Sequence, residues 1–298
     1  MDINKLKELQ SKALKSILIT AIVVAIITII FALVTQIIEI LVFGLIAGLF
    51  LCIFISASPR KEFRLMFKKV FVEKSLQGVF TDLDYRPDQG LNRYTIASTQ
   101  MMDMGDRYSS NDFISAKYKD INVMQADVHI EEKRVTTDSK GRTHTTWVTL
   151  FLGRWMVFDF NKSFNGDIQV CQKGFGNSVL NNWKREERFK KVQLEDQDFN
   201  KKFRVYAQSE HDAFYVLTPS LMQKIKDLTA SIKGRLLFCF IDKDLHVGIQ
   251  NNKDSFECSV FTKLDEEKIL QQISGDIKLI TNFVDQLNLD NDLFKKEN

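Results

Sequence analysis

Residues 17–57 read ILITAIVVAIITIIFALVTQIIEILVFGLIAGLFLCIFISA. No charge interrupts Ile17 to Val34, and the only polar cluster of the block, Thr35, Gln36 and Glu39, falls at its middle before a second apolar run from Ile40 to Ala57. As one helix the block would be about 60 Å long at 1.5 Å per residue. A hydrocarbon core is only about 30 Å thick, so the length asks for two spans. The expected fold class is therefore α+β: a two-helix transmembrane hairpin (about 17–35 and 38–57), then a mainly antiparallel-sheet soluble region closed by a C-terminal amphipathic helix.

Small residues are spaced for close packing inside the hairpin. Ala21, Ala25 and Ala32 recur on the first span, and Gly44 and Gly48 form a G-x-x-x-G on the second. In lipid, small residues let helix backbones approach. These five are the expected intramembrane packing residues, within one chain or, through the same stripe, in a homo-oligomer.

Flanking charge sets the orientation. Lys5, Lys7, Lys12 and Lys15 precede the first span; Arg60, Lys61, Arg64, Lys68 and Lys69 follow the second; the connecting turn has no Lys or Arg. The positive-inside rule places both termini and the soluble region in the cytoplasm of a multi-pass cell-membrane protein. A cleaved signal peptide fits worse, because the apolar run is too long and Ser56-Ala57-Ser58 lies too far downstream. The cysteines agree with a reducing compartment: Cys52, Cys171, Cys239 and Cys258 are scattered, without a C-x-x-C pair.

The expected organisation is a cytoplasmic segment at 1–16, the hairpin at 17–57, a juxtamembrane amphipathic helix at 60–84, a β-rich subdomain at 85–190 and an α+β subdomain at 191–298. On the juxtamembrane helix Phe63, Phe67, Val70 and Phe71 share one face. Arg60, Lys61, Arg64, Lys68 and Lys69 are the candidate contacts to anionic lipid head groups. Strands are expected around 121–130, 145–159 and 168–171, with a bend or bulge at Gly153 and a tight turn at Asn165-Gly166. Further strands are expected at 203–208, 213–217, 236–241, 245–249 and 256–261. Thr218-Pro219 opens a helix that ends near Ile232. The chain closes with an amphipathic helix over 265–287.

Between two of these strands, Asp138-Ser139-Lys140-Gly141-Arg142-Thr143-His144 reads as an exposed hairpin tip. Lys140, Arg142 and His144 are the candidate contacts to an anion or a partner. The stretch is no Walker A loop, because the upstream glycine and the Gly-Lys-Ser/Thr order are missing.

The tip and its surroundings, Thr136 through Trp147, then Phe151 with Gly153 and Phe158-Asp159-Phe160-Asn161-Lys162, resemble bacterial domain-of-unknown-function family 3137. So do Leu194-Glu195-Asp196-Gln197-Asp198-Phe199, Phe203-Arg204-Val205-Tyr206 and Ala213 through Pro219. The resemblance implies a two-span membrane protein of unknown activity and supplies no catalytic residue.

Nothing in the chain identifies a reaction. G-x-S-x-G, H-E-x-x-H and G-x-G-x-x-G are absent. Cys239, His246 and Cys258 fall on successive expected strands, but their spacing fits no metal pattern, and neither a metal nor a cofactor is expected. A net charge of +3 argues against nucleic acid as a partner. The reading is a membrane-anchored cytoplasmic binding or scaffold protein. Its partners are the bilayer, anionic head groups and a protein not identified by the sequence. An enzyme acting at the inner membrane face on a lipid or anionic metabolite, and an accessory subunit of a membrane complex, are the alternatives.

Overall fold

The computed structural model describes residues 3–36, 39–159, 166–175, 185–287 and 289. They fall into two compact units, Met1–Ser75 with Phe256–Ser274, and Leu76–Ser255 with Gly275–Asn298.

The first unit is helical. Helix α1 (Ile3–Thr35) is continuous, so the polar N-terminal segment and the first apolar run form one rod. It packs along α2 (Glu39–Ile55) and α3 (Ala57–Phe67). By length and composition α1 qualifies on its own as a membrane-crossing helix. The other candidate combines Leu41–Ile55 with Ala57–Gln77, bent by 42°. After α3 the chain widens into a π-helical turn, Lys68–Glu73, and closes with α4 (Lys74–Gln77). Leu6, Ala13, Phe63, Phe67, Val70 and Phe71 are buried in this unit, as are Val260, Ile269 and Ile273. The Gln10 side-chain amide donates to the carbonyls of Val260 and Thr262 at 2.9 and 2.8 Å.

The second unit is built on an antiparallel sheet. Its strands are β1 (Thr81–Arg86), β2 (Arg107–Tyr118), β3 (Ile121–Thr137), β4 (Thr143–Asp159), β5 (Ile168–Gln172), β6 (Lys190–Val192), β7 (Phe203–Ala207), β8 (Arg235–Ile241) and β9 (Asp244–Gln250). They lie side by side in the order β1-β2-β3-β4-β9-β8-β5-β7-β6. One face carries Ala126, Val128, Ile130, Trp155, Val157, Leu237 and Cys239, covered by residues around α5 (Arg93–Ala97) such as Leu91, Ile96, Met101 and Met102. Gly248 makes room for the indole of Trp155, since a Cβ there would stand 2.8 Å from Cζ3. Three helices join the strands on the β7–β8 side: α6 (Gln197–Lys202), α7 (Glu210–Val216) and α8 (Pro219–Ser231). The last helix, α9 (Glu266–Leu287), places Phe283 against Phe158 and Phe238, with ring centroids 6.0 and 6.4 Å apart.

Several expectations are met. Thr218 accepts from the Leu221 N–H at 3.3 Å with Pro219 at the first helical position, and the closing helix ends at Leu287. Others are corrected. Residues 213–217 are not a strand but lie in α7 and its C-cap, because Ser209 accepts from the Asp212 N–H and the acids Glu210 and Asp212 stabilise the first turn. Residues 256–261 form no strand; Phe256 sits at a φ of +56°, which breaks an extended run. The helix expected over 60–84 stops at Gln77, and β1 begins at Thr81. In the β3–β4 ladder the irregularity falls at Leu150, where Ile130 pairs with Phe151 and Glu131 with Thr149, and not at Gly153, which stays in the ladder opposite Val128. The expected Asn165-Gly166 turn starts outside the described residues.

Candidate functional site

The apolar helix pair is held by contacts that glycine alone permits. A Cβ on Gly44 would stand 2.1 Å from Thr28 Cγ2, and one on Gly48 would stand 2.6 Å from Val24 Cγ1. Ala21 and Ala25 line the same crevice, of about 790 Å³, together with both glycines. Its walls are almost wholly apolar, with Thr28 already bonded to the Val24 carbonyl at 2.8 Å. Ala32 is not among the lining residues. The outer faces of both helices are exposed and apolar: Leu18, Val34, Phe43 and Phe54 are 61, 76, 72 and 82% exposed.

Beyond the helix pair, the five basic residues separate. Lys61 and Lys69 are exposed. Arg60 turns back onto α2, donating to the carbonyls of Ser56 and Ile53 at 3.2 and 2.8 Å. Arg64 is half-buried. Lys68 corrects the expectation of a membrane-surface contact: its side chain is fully buried and its Nζ lies 2.6 Å from Glu257 Oε1. Lys68 itself keeps regular helical geometry, its N–H donating to the Arg64 carbonyl; its burial goes with a partner carboxylate, Glu257, supplied from far along the chain.

The hairpin tip is a self-contained turn. Asp138 Oδ1 accepts the backbone N–H groups of Lys140 and Arg142, both at 2.9 Å, and its Oδ2 stands 3.6 Å from His144 Nε2. The amides that would cradle an anion are thus taken by the chain's own carboxylate. Lys140, Arg142 and His144 are all exposed on this turn. Below it, residues 132–137 and 143–148 pair only with each other, since β2 leaves β3 at Glu131 and β9 joins β4 at Gly153. Arg107 stacks on Trp147 at the foot of this ribbon, 3.8 Å from the ring centroid.

Cys239 and His246 do come together, as a cross-strand pair of β8 and β9. His246 Nδ1 accepts from the Trp155 indole at 3.3 Å, and burial lowers its pKa to about 4, so the ring is neutral. Burial pushes the Cys239 thiol well above its ordinary range. Cys258 belongs to the helical unit.

Two further buried charges were not singled out by the sequence. Asp127 on β3 and Arg154 on β4 are register partners, 2% and 1% exposed. Arg154 Nε stands 3.7 Å from Asp127 Oδ1; its Nη1 donates to the Asp276 carbonyl at 2.7 Å and its Nη2 stands 3.5 Å from the Asp276 carboxylate. Asp127 accepts from the Ser255 hydroxyl at 3.0 Å and from the Ser255 N–H. Burial raises the Asp127 carboxyl to about 8, against the opposing pull of Arg154. Gln125, two residues earlier on the same face, is fully buried with no hydrogen-bond partner for its amide among the described residues. The alternation of Gln125 and Asp127 with apolar neighbours is a readable signal of their common face; the burial of Asp127 is not, since its partners Arg154 and Ser255 lie far along the chain.

A helix pair with an exposed apolar surface, followed by an α+β region on one antiparallel sheet, defines the class of this protein. Residues 149–289 match the model of a family described as protein of unknown function (DUF3137), and that region belongs to the family. The match contains the motifs at 158–162, 194–199, 203–206 and 213–219, while the hairpin tip precedes it. A comparison with curated proteins finds no match. Among solved structures, the crystal structure of the mycobacterial trehalose monomycolate transport factor A, TtfA, is similar at 10% identity and a TM-score of 0.40, covering 76% of this chain and 93% of that one. At that score the likeness carries no functional argument.

Proposed function

We propose that this protein is a membrane-anchored binding or scaffold module, with α1 and α2 as a two-span hairpin and the sheet on the cytoplasmic side. The observation that carries the reading is the exposed apolar surface of the packed helix pair. Side chains of residues 18–34 and 41–55 leave an apolar surface far larger than a water-soluble protein tolerates. Helix α2 has 17 residues, about 25 Å at 1.5 Å each, enough for a short span. Exposed Lys5, Lys7, Lys12 and Lys15 lie at one end of the pair, with Lys61 and Lys69 following α2, in the pattern of the positive-inside rule.

Binding is favoured over turnover by the state of the titratable groups. Asp127 and His246, both strongly perturbed, are buried and engaged by Ser255, Arg154 and Trp155, out of reach of a substrate. The lipid-facing role of Lys61 and Lys69, and a partner role for Lys140, Arg142 and His144, stand as parts of the proposal.

The test is topological. All four cysteines are replaced by alanine, Lys201 (side chain 76% exposed) is changed to cysteine, and intact cells are treated with a membrane-impermeant maleimide. Protection in intact cells, labelling after lysis and retention in alkali-washed membranes are expected. Labelling of intact cells would reverse the orientation; release by alkali would remove the anchor.

A further inference from the structure

We propose that the cleft at the open end of β8 and β9 is a binding site for a small phosphate-bearing anion. The cleft has a volume of about 510 Å³, within the range of small-molecule sites. Its charged lining is entirely cationic, Lys233, Arg235 and Lys253, and Gly234, Gln250, Asn251 and Asn252 complete it. No carboxylate lines it, and none of the three cations has an ion pair among the described residues. Other cations of the sheet unit do have carboxylate partners, such as Lys117 with Asp82 at 2.9 Å, Lys119 with Asp285 at 2.8 Å and Lys226 with Asp196 at 2.7 Å. Gathering three like charges around one hollow raises their mutual repulsion, and an anion in the hollow relieves it. An arginine fork and two ammonium groups are the donor set that grips phosphate oxygens from several sides.

The cleft is built rather than incidental to a loose turn. Residues 250–253 are pinned to the neighbouring strand: Gln250 Nε2 donates to the Leu150 carbonyl at 3.3 Å and the Asn252 N–H to the Leu152 carbonyl at 3.0 Å. The Lys253 N–H donates to Asn251 Oδ1 at 3.1 Å. On the opposite wall Gly234 has a φ of +134°, and a Cβ there would stand 2.8 Å from the Gln250 carbonyl oxygen. Glycine therefore lets the approach to β8 lie close against the end of β9, which fixes Lys233 and Arg235 beside Lys253. All of these residues lie within the matched segment 149–289. The site is independent of which side of a membrane the sheet occupies.

The phosphate can come from a soluble metabolite or from a lipid head group, and one experiment separates them. The full chain in nanodiscs of phosphatidylcholine is titrated with inorganic pyrophosphate by calorimetry. Saturable binding is expected, weakened roughly tenfold by each of K233A, R235Q and K253A, the scale of one charge-assisted hydrogen bond. The tip variant K140A/R142A removes two cations elsewhere and is expected to leave the affinity unchanged. Repeating the titration in nanodiscs doped with phosphatidic acid shows weaker pyrophosphate binding if head groups enter the site, and unchanged binding if the source is soluble. Absence of saturable binding, or equal weakening by the tip and cleft variants at unchanged melting temperature, overturns the site.

Discussion

Among the described residues each compact unit buries one cation completely, and the two solutions differ. In the helical unit Lys68 is a point charge against Glu257, whose side chain is one third exposed. In the sheet unit Arg154 spreads a planar fork between Asp127, itself buried, and both the carbonyl and the carboxylate of Asp276 on α9. The first arrangement keeps one partner in touch with water. The second encloses several polar groups that have no other place to turn. The difference teaches that the Arg154 cluster fixes how α9 seats on the sheet, while the Lys68 pair relieves the burial of one charge at a helix turn.

The sharpest way to break the comparison is Arg154→Ala. It leaves the Asp276 carbonyl and the Asp127 pocket unsatisfied and opens a cavity, at a cost of about 3–5 kcal/mol. A matching fall in the urea midpoint, with loss of protection of α9 amides in hydrogen exchange, is the expected outcome. An effect below about 1 kcal/mol would show that the fork does not hold the helix.

Next in size is a pH effect. The Asp127 carboxyl stands near 8 when folded and near 3.8 ordinarily. Between those values the native state keeps a proton that the unfolded chain has lost, so stability falls as pH rises. His246 acts oppositely: its folded pKa of about 4 lies below 6.5, so stability rises with pH across that window. The two slopes offset each other up to 6.5, and above it only Asp127 remains. Stability should drop by about 2 kcal/mol from pH 6.5 to 8. Asp127→Asn should abolish that drop, and His246→Asn should extend the decline down toward pH 4. Urea midpoints at a series of pH values decide both; a wild-type plateau through pH 8 would contradict a raised Asp127.

The sequence made the two regions unequally legible. An uncharged block over residues 17–34 and 40–57 carries its meaning locally, and so do the cap at Thr218-Pro219 and the stripe that becomes α9. Lys68 sits on the basic stripe by local spacing, and its burial rests on Glu257, a partner far along the chain that no local pattern can anticipate. Arg154 and Asp127 carry no local mark of burial, because each looks solvent-facing within its own strand. Only the register of β3 on β4 and the covering helix α9, a contact more than a hundred residues away, make them interior. Residues 213–217 were misassigned although the Ser209 cap was present, since the apolar content of the short run outweighed it.

Lys68→Ala is the third test, and a smaller effect separates it from Arg154. It removes a buried ammonium with its stem, but Glu257 already reaches solvent and regains hydration. The expected cost is about 1–2 kcal/mol, mostly lost packing of the aliphatic chain. A cost equal to that of Arg154→Ala would erase the distinction between the units.

The smallest effect, and the most discriminating, is expected of methionine at the two positions. Met reproduces most of the lysine stem and its flexible packing without a charge to desolvate. At position 68 the variant gives up an ion pair whose attraction is offset by the burial of the ammonium, so its stability should lie within about 1 kcal/mol of the wild type. At position 154 the same residue fills space but donates nothing to the Asp276 carbonyl, and that acceptor stays buried beneath α9. Arg154→Met should therefore recover the cavity part of the alanine defect and keep a polar deficit of about 1–3 kcal/mol. Melting curves of the four single variants measure both differences. If methionine rescues Arg154 as fully as Lys68, the fork is only a filler and the seating of α9 rests on Phe283 against Phe158 and Phe238; if it rescues Lys68 alone, the hydrogen-bonding geometry of the guanidinium is what the sheet requires.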